Sequence, residues 1–418
     1  MILPRLKAGA VSIRIFDKEP EAQQPGTMLW PEMQSSAISF ENHLPRRVIT
    51  GRGTSQTLVD LCITNQWKRV FLISDAGVAG AGLTQQVALP LEQARLLADT
   101  FAEIPPEPPI DIVDALAARI RACHADVVIA LGGGSVMDAA KVAALCAKHE
   151  KPAREFLGIG KAGGRGVPTI LIPTTAGTGS EATFVAILTD PVTGNKVGVV
   201  DPCMLADIAI VDPGLTDGLP PHVTAAAGMD ALVHAIEAFI AKVATPLARG
   251  VALEAARRIG RSLEIVCREP QNKLARDDMA IGSHLAGMAF ANSSCCAVHA
   301  LALPLGGKFH IPHGVITGCI AGEMMRHNAP ACAADFATFS QALGWGTMDG
   351  AQFADRLDAL ATDIGLVAHL RKTTVHASSI PAMARDAVAI RRLVDPNPRD
   401  VTEVDAIRIY QKVLSIAS

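Results

Sequence analysis

Aromatic side chains are scarce in this sequence, at 4% of 418 residues with a single tyrosine, and an excess of charge of either sign is missing as well. Lys and Arg number 38 against 41 Asp and Glu, which leaves a formal net charge of −3. A chain with this balance has no general electrostatic attraction for nucleic acid or an anionic membrane, and few rings on which bases would stack. We therefore expect neither nucleic acid nor membrane among its partners.

The sequence also lacks the patterns that mark disulfide scaffolds, zinc ribbons and membrane spans. Its nine cysteines are an odd number without a Cys-x-x-Cys pair, and most lie in apolar runs, as small buried hydrophobes do. No uninterrupted apolar run approaches the roughly 20 residues of a membrane helix. Residues 1–38 do not resemble a secretory signal, because no apolar segment leads to a small-residue cleavage site. Unpaired cysteines favour a cytoplasmic protein.

The chain has enough apolar residues, 49% against 19% charged, to bury a large interior. Its length favours two domains over one. Residues 1–38 have no clear periodicity and contain a polar, proline-containing run, so we expect an N-terminal extension that is poorly ordered. Strand signals fade after about residue 213, and Ala/Leu/Arg-rich helical patterns follow. The predicted domains are an α/β domain at 39–216 and an all-helical domain at 217–418.

Short β-branched and apolar runs alternate with helical patterns in the first of these domains. We predict helices at 84–97 and 112–124, and strands at 69–73, 126–131 and 169–172. Strands that alternate with helices favour a parallel α/β sheet.

Consecutive glycines follow the second predicted strand directly, in Gly132-Gly133-Gly134-Ser135, and a helical pattern continues from them. Glycines allow a ligand to approach the backbone closely, and the amides at a helix N-terminus favour a phosphate or pyrophosphate. The pattern is neither the dinucleotide fingerprint GxGxxG nor a P-loop. The alternative interpretation is a plain strand-to-helix turn.

A second polar loop, residues 173–183, follows the third predicted strand and interleaves small hydroxyl residues with glycines. Such a loop is suited to lining a sugar or a nicotinamide, because ligands of open α/β sheets bind beyond the carboxyl ends of the strands. Asp75 follows the first predicted strand, where a carboxylate accepts hydrogen bonds from an adenosine ribose and repels a 2′-phosphate. Its alternative role is a turn or helix cap.

Asp230 and His234 lie four residues apart in a segment that reads as a helix, which puts both side chains on one face. A carboxylate oxygen and an imidazole nitrogen at that spacing are suited to one divalent metal ion. The alternative is an ordinary ion pair on a helix surface. His299 and His313 lie further along, near apolar helical stretches, and complete a candidate set of four ligands.

Four motifs occur together and in order along the chain. They are Gly132-Gly133-Gly134-Ser135-x-x-Asp138-x-Ala140-Lys141, Pro173-Thr174-Thr175-x-Gly177-Thr178-Gly179-Ser180-Glu181, Gly228-Met229-Asp230-Ala231-Leu232-x-His234-Ala235-x-Glu237 and Pro312-His313-Gly314. With them the chain resembles the iron-containing (group III) alcohol dehydrogenase family from about residue 40 to the C-terminus. The resemblance implies a nucleotide-binding α/β domain, a helical metal-binding domain and an active site in the cleft between them. This two-domain plan is similar to that of dehydroquinate synthase.

The same resemblance implies the ligands of the site. Asp230, His234, His299 and His313 would hold one divalent metal, usually ferrous iron and in some members zinc. NAD is the implied cofactor, with its pyrophosphate on the backbone of the glycine motif, its ribose region near a lysine, and Asp75 favouring NAD over NADP. The implied cofactor-binding residues are Asp75, Gly133, Gly134, Ser135, Asp138, Thr174, Thr175, Thr178, Ser180 and Lys196. A homodimer is a further expectation from the family.

The implied activity is that of a metal-dependent, NAD(H)-linked alcohol dehydrogenase or aldehyde reductase acting on a small alcohol or aldehyde. The metal would polarise the substrate oxygen while hydride moves to or from nicotinamide C4. Three alternatives stay open: a maleylacetate reductase-like enzyme, a dehydroquinate synthase-like lyase, and a binding protein with an inactive site. The intact set of four ligands argues against the first, and the apolar surroundings of the ligands argue against the second.

Two departures from the family pattern concern proton transfer and the pocket wall. A second histidine is common four residues after the ligand at 299, and here that position is Leu303, which cannot relay a proton. His310 is a candidate replacement, so His299 and His310 are the candidate catalytic residues. The stretch 293–296, Ser-Ser-Cys-Cys, replaces smaller glycine-rich residues. No Arg or Lys in the motifs demands a carboxylate or phosphate on the substrate.

Overall fold

The structure, a computed structural model, describes residues 39–417. The expected N-terminal extension at 1–38 lies outside the described residues. The strands are β1 Val48–Thr50, β2 Val70–Ile73, β3 Leu97–Phe101, β4 Val127–Gly132, β5 Gly158–Ile159, β6 Thr169–Pro173, β7 Val185–Thr189, β8 Lys196–Val200 and β9 Ile208–Val211. The helices are α1 Leu58–Thr64, α2 Ala76–Gly80, α3 Leu83–Gln93, α4 Ile110–Ala122, α5 Gly134–His149, α6 Pro221–Ile240, α7 Pro246–Arg268, α8 Lys273–Ala291, α9 Ala297–Phe309, α10 His313–Ala342, α11 Gly350–Asp363, α12 Leu366–Leu370, α13 Ile380–Val388, α14 Arg391–Val394 and α15 Glu403–Ala417.

Six strands form a parallel sheet in the order β1-β9-β6-β4-β2-β3. Alternate side chains of each central strand enter separate apolar clusters on the two faces of the sheet, as the two-residue period of a strand requires. In β4, for example, Val128 packs on one face and Ile129 on the other. A smaller sheet joins β5, β8 and β7. The predicted parallel α/β architecture is confirmed.

The sequence prediction was wrong around residue 95. The helix predicted at 84–97 ends at Gln93, and β3 begins at Leu97. The chain reverses between them with Arg95 at φ 58, and β3 is a half-buried edge strand whose residues lack a continuous apolar run. An edge strand with one neighbour carries the weakest hydrophobic signal of a sheet. The predicted helix was therefore extended into the first residue of this strand.

After β9 the described chain is helical, which confirms the predicted all-α region. The last strand ends at Val211 and the first long helix, α6, begins at Pro221. The domain division at 216/217 stays a prediction. Helix α6 lies at the centre of the largest apolar cluster and packs on α7, α8 and α10. It is also the one described helix long and apolar enough to cross a membrane, and most of it is buried in the protein interior.

Candidate active site

Asp230 and His234 lie on one face of α6, one turn apart, as their spacing predicts. Both side chains are buried, and His234 Nδ1 lies 4.0 Å from Asp230 Oδ2. The ordinary surface ion pair is therefore excluded, because a buried carboxylate beside an imidazole needs further polar partners.

His299 from α9 and His313 at the start of α10 supply those partners. The Nε2 atoms of both histidines lie 3.8 Å from Asp230 Oδ1, and the ring of His299 stacks on that of His234 at 4.6 Å between centroids. Close helix crossing makes this possible: a side chain at Gly314 would collide with the carbonyl oxygen of Ala226 in α6. The structure thus gathers three of the predicted ligands around the carboxylate of the fourth.

An outer layer of hydrogen bonds fixes the orientation of this set. His299 Nδ1 donates to Glu237 Oε2 at 2.6 Å, and the same carboxylate accepts from the backbone amides of Cys296 and Val298. The hydroxyl of Thr317 donates to Asp230 Oδ1 at 3.0 Å. Outer partners of this kind fix the tautomer and the ring orientation of metal-binding histidines.

Two nitrogen atoms of the set are buried without a hydrogen-bond partner among the described residues: His234 Nδ1 and His299 Nε2. Burial lowers the pKa of His234 to about 3, so its imidazole is neutral and keeps a free lone pair. Burial alone would raise the pKa of Asp230, yet the surrounding imidazoles hold it below its usual value. The free lone pair of His234, the unpartnered nitrogen of His299 and the buried carboxylate between them fit a divalent transition metal such as iron or zinc.

Cys295 belongs to none of the four motifs, and it lies beside two of the predicted metal ligands. Its sulfur, a nitrogen of His234 and a nitrogen of His299 all lie within 4.8 Å of one another. Asp230, His299 and His313 form a second group with the same closeness, and His299 belongs to both. Cys295 stands in the departing stretch 293–296, so the altered wall contacts the metal ligands directly.

The glycine motif joins β4 to α5 at the carboxyl end of the sheet. Gly133 precedes the helix, and Gly134 and Ser135 form its first turn, where backbone amides have no partners within the helix. A Cβ atom on Gly134 would lie 2.8 Å from Thr178 Cγ2, so only glycine allows the second polar loop to pack here. The geometry fits the predicted pyrophosphate site.

The second polar loop is fastened to α5 through Asp138. Its carboxylate accepts from the hydroxyl of Ser180 at 2.6 Å and from the backbone amide of Ile187 at 2.8 Å, and it pairs with the buried Lys141. These bonds occupy both oxygens of Asp138. Its side chain therefore holds the loop in place, whereas its assignment as a cofactor contact stays a prediction.

A cavity of about 410 Å³ connects these parts. The predicted site residues that line it are Gly134, Ser135, Asp138, Thr178, Ser180, Lys196, Asp230, His234, His299 and His313. The metal ligands and the glycine motif thus line the same cavity. The ligands come from three helices on one side, and the glycine motif lies at the strand ends on the other.

Five predicted site residues are not among those lining the cavity: Asp75, Gly133, Thr174, Thr175 and His310. Gly133 and the two threonines lie in its supporting loops. Asp75 caps α2, its Oδ1 accepting from the Val78 amide at 2.9 Å. His310 ends α9 in the left-handed region at φ 54 and is exposed. This placement does not support His310 as the proton relay.

Models of two regions of one protein family match this chain. The model of iron-containing alcohol dehydrogenase matches residues 45–213, and that of the C-terminal part of the same family matches residues 224–414. The chain belongs to the iron-containing alcohol dehydrogenase family. The lyase and inactive-scaffold alternatives lose their support, because the family is one of oxidoreductases and all four ligand positions are filled.

Individual members of the iron-containing family are similar over most of their length. Long-chain-alcohol dehydrogenase 1 of Geobacillus thermodenitrificans is 38% identical, covering 82% of this chain and 89% of that protein. The crystal structure of a 1,3-propanediol oxidoreductase has a TM-score of 0.84 at 32% identity, covering 90% of this chain and 100% of that one. A sulfoacetaldehyde reductase from Bifidobacterium kashiwanohense, solved in complex with NAD+, has a TM-score of 0.82 at 30% identity, covering 90% of this chain and 99% of that one.

Two further residues of this chain line the cavity. Leu303, where a histidine was expected, lines the cavity on the same helix as His299. Arg392 on α14 lines it as well and was missed, because it belongs to none of the four motifs and reaches the site only through the packing of α14 on α9.

Proposed function

We propose that this protein is an iron-dependent, NAD(H)-linked alcohol dehydrogenase that interconverts a small aldehyde and its alcohol. The observation that carries the proposal is the cavity in which three histidines around a buried aspartate face a glycine-rich helix N-terminus. Family membership supports the reaction class, and the NAD+ complex of a similar reductase supports the cofactor. The relatives are named for chemically different substrates, so the substrate has to be inferred from the cavity itself.

The residues of this chain have distinct roles in the proposal. Asp230, His234, His299 and His313 hold the metal, and the amides of Gly134 and Ser135 hold the cofactor pyrophosphate. When bound, the metal supplies Lewis-acid polarisation of the substrate oxygen, and NADH supplies the hydride that, with one proton, converts an aldehyde to an alcohol. The apolar walls position the reacting carbon and limit the water around it.

Proton transfer in this enzyme takes a route without a relay histidine. Leu303 offers no titratable group, and His310 lies outside the cavity wall. The side chain of His313 is 41% exposed, so water reaches the metal set from that side. We infer that the proton comes from water or from the cofactor ribose.

The test is oxidation of NADH by anaerobically purified protein loaded with ferrous ion, against a panel of short aldehydes. We expect turnover that disappears when a chelator removes the metal and returns when ferrous ion or zinc is added back. Absence of turnover with every aldehyde, although metal and NADH are both bound, would contradict the proposal.

We also propose that the protein is a cytoplasmic homodimer. The resemblance to the family supports the dimer, and nine unpaired cysteines support a reducing compartment. Light scattering coupled to size-exclusion chromatography should give twice the mass of one chain. The mass of a single chain at micromolar concentration would contradict the dimer.

A further inference from the structure

The charges around the cavity are unevenly paired. Lys196 is matched by Glu107, with Nζ to Oε2 at 2.8 Å, and Asp138 is matched by Lys141 at 3.1 Å. Asp230 lies among the histidines. Arg392 is the remaining fixed charge on the cavity wall. Its side chain forms no ion pair and no hydrogen bond with any residue that the structure describes.

Helix α14 holds Arg392 on the cavity wall. Leu393 and Val394 are buried in the large apolar cluster, and α14 packs against α9, which carries His299 and Leu303. The neighbouring Arg391 behaves differently, because its guanidinium pairs with Asp395 and it does not line the cavity. Two adjacent arginines on one short helix thus differ: Arg391 forms an ion pair, and Arg392 lies in the active-site cleft without a partner among residues 39–417.

The surroundings of Arg392 combine access with desolvation. The side chain is exposed, so a small molecule can reach it, yet the nearby walls desolvate the guanidinium enough to lower its pKa. A charge in a cleft shows this combination, whereas a charge on a convex surface does not. Anions bind more strongly to an arginine in such a cleft, because less water competes for its donors.

Arg392 lies on the metal side of the cavity. It shares that wall with Cys295 and Leu303, whereas the glycine motif lies between β4 and α5 on the other side. A group bound by Arg392 is therefore one that extends from the substrate. The planar guanidinium of Arg392 presents a fork of donors that matches an oxyanion with two or more equivalent oxygens.

We propose that Arg392 is a substrate-binding residue and that the preferred substrates are short aldehydes, or their alcohols, bearing a carboxylate or sulfonate group. This inference rests on the proposed function and adds the class of its substrate. The reaction is unchanged: the aldehyde carbon gains a hydride, its oxygen gains a proton, and the anionic group takes no part in bond making. Its contact with Arg392 anchors the far end of the molecule while the carbonyl faces the metal set.

The experiment compares aldehydes that differ in charge and little in shape. Succinic semialdehyde is paired with isocaproaldehyde, and sulfoacetaldehyde with tert-butylacetaldehyde, so each anion has a neutral isostere and the two pairs distinguish carboxylate from sulfonate. For the metal-loaded wild-type protein, we expect a higher kcat/KM for the anion in at least one pair. Arg392→Gln should lower the ratio of anion to isostere by about 10- to 100-fold, through KM more than kcat.

Two further variants separate recognition from structure. Arg392→Lys keeps the charge without the fork and should retain a larger share of the preference than Arg392→Gln. Arg391→Gln changes the neighbouring arginine, which pairs with Asp395, and should leave the ratio as in the wild type. An unchanged ratio in Arg392→Gln would overturn the inference. So would a loss confined to the KM for NADH, because Arg392 would then bind the cofactor.

A binding measurement keeps the inference separate from the proposed reaction. Ethanesulfonate is a poor metal ligand that cannot be reduced, and ethyl methyl sulfone is its neutral counterpart. Calorimetric titration of the metal-loaded protein with NADH should show ethanesulfonate binding that weakens in Arg392→Gln. If no aldehyde is turned over but this binding is seen, the reaction fails and the anion site stands. If aldehydes are turned over without this binding, the anion site fails and the reaction stands.

Discussion

The two sides of the cavity are built in opposite ways. On the cofactor side, Gly134 and Ser135 come from the first turn of α5, and Thr178 and Ser180 come from the second polar loop. These two segments follow β4 and β6, neighbouring strands of one sheet. On the metal side, the ligands come from α6, α9 and α10, and each charged or basic group depends on the packing of another helix. The first is a local structure that offers mostly backbone amides and hydroxyls. The second is a tertiary structure that buries titratable groups, so we expect it to be far more sensitive to substitution.

The largest effect should follow removal of the shared carboxylate. Asp230→Ala takes away the acceptor around which the three histidines gather, so we expect less than a tenth of the wild-type metal content and a loss of activity of at least about 1,000-fold. Mass spectrometry measures the metal content, and circular dichroism of the same sample checks that the fold persists. His310→Ala, outside the cavity wall, is the matched control and should retain stoichiometric metal. Stoichiometric metal in Asp230→Ala would remove the assignment of the ligand set.

A smaller effect on the same side should follow Glu237→Gln. This residue is fully buried and orients His299 through Nδ1, so the variant keeps the shape but removes the charge that fixes the ring. Loss of such an outer partner typically weakens metal binding by about 10- to 100-fold. Competition with a chromophoric chelator measures the affinity. An affinity equal to that of the wild type would show that Glu237 only caps the amides of Cys296 and Val298.

On the cofactor side, the informative substitution is Asp75→Asn. The amide oxygen of asparagine can still accept from the Val78 amide and cap α2, but the charge that we predict to repel a 2′-phosphate is gone. We expect the ratio of kcat/KM for NADPH over NADH to rise about tenfold, with no change in melting temperature. Asp75→Ala should show the same change of ratio together with a loss of stability of about 1 kcal/mol. An unchanged ratio in both variants would leave Asp75 as a helix cap alone.

The same contrast explains what the sequence could predict. The central strands β2, β4 and β6 and their loops were found because buried strands are continuous apolar runs, and the glycines and hydroxyls follow them directly in the chain. Strand β3 was missed because it is a half-buried edge. The helical spacing of Asp230 and His234 was readable, but their union with His299 and His313 came from the resemblance to a family.

Other features of the metal side had no local spacing pattern in the sequence. Cys295 contacts the histidines through the chain reversal between α8 and α9, and Arg392 enters the cavity from α14 near the end of the chain. Both residues reach the cavity because their neighbours in the chain are buried. No local spacing in the sequence indicates this position. The exclusion of His310 likewise depended on where α9 ends. Residues that determine substrate choice thus lie where the pattern of the sequence is least informative.

The central claim is that Asp230 and the three histidines around it bind one metal ion. The most direct test is a crystal structure of protein loaded with ferrous ion under anaerobic conditions, with anomalous diffraction recorded on both sides of the iron absorption edge. The account predicts a single anomalous peak among Asp230, His234, His299 and His313 that vanishes below the edge. An iron peak elsewhere in the molecule, with none at this position in active protein, would contradict it.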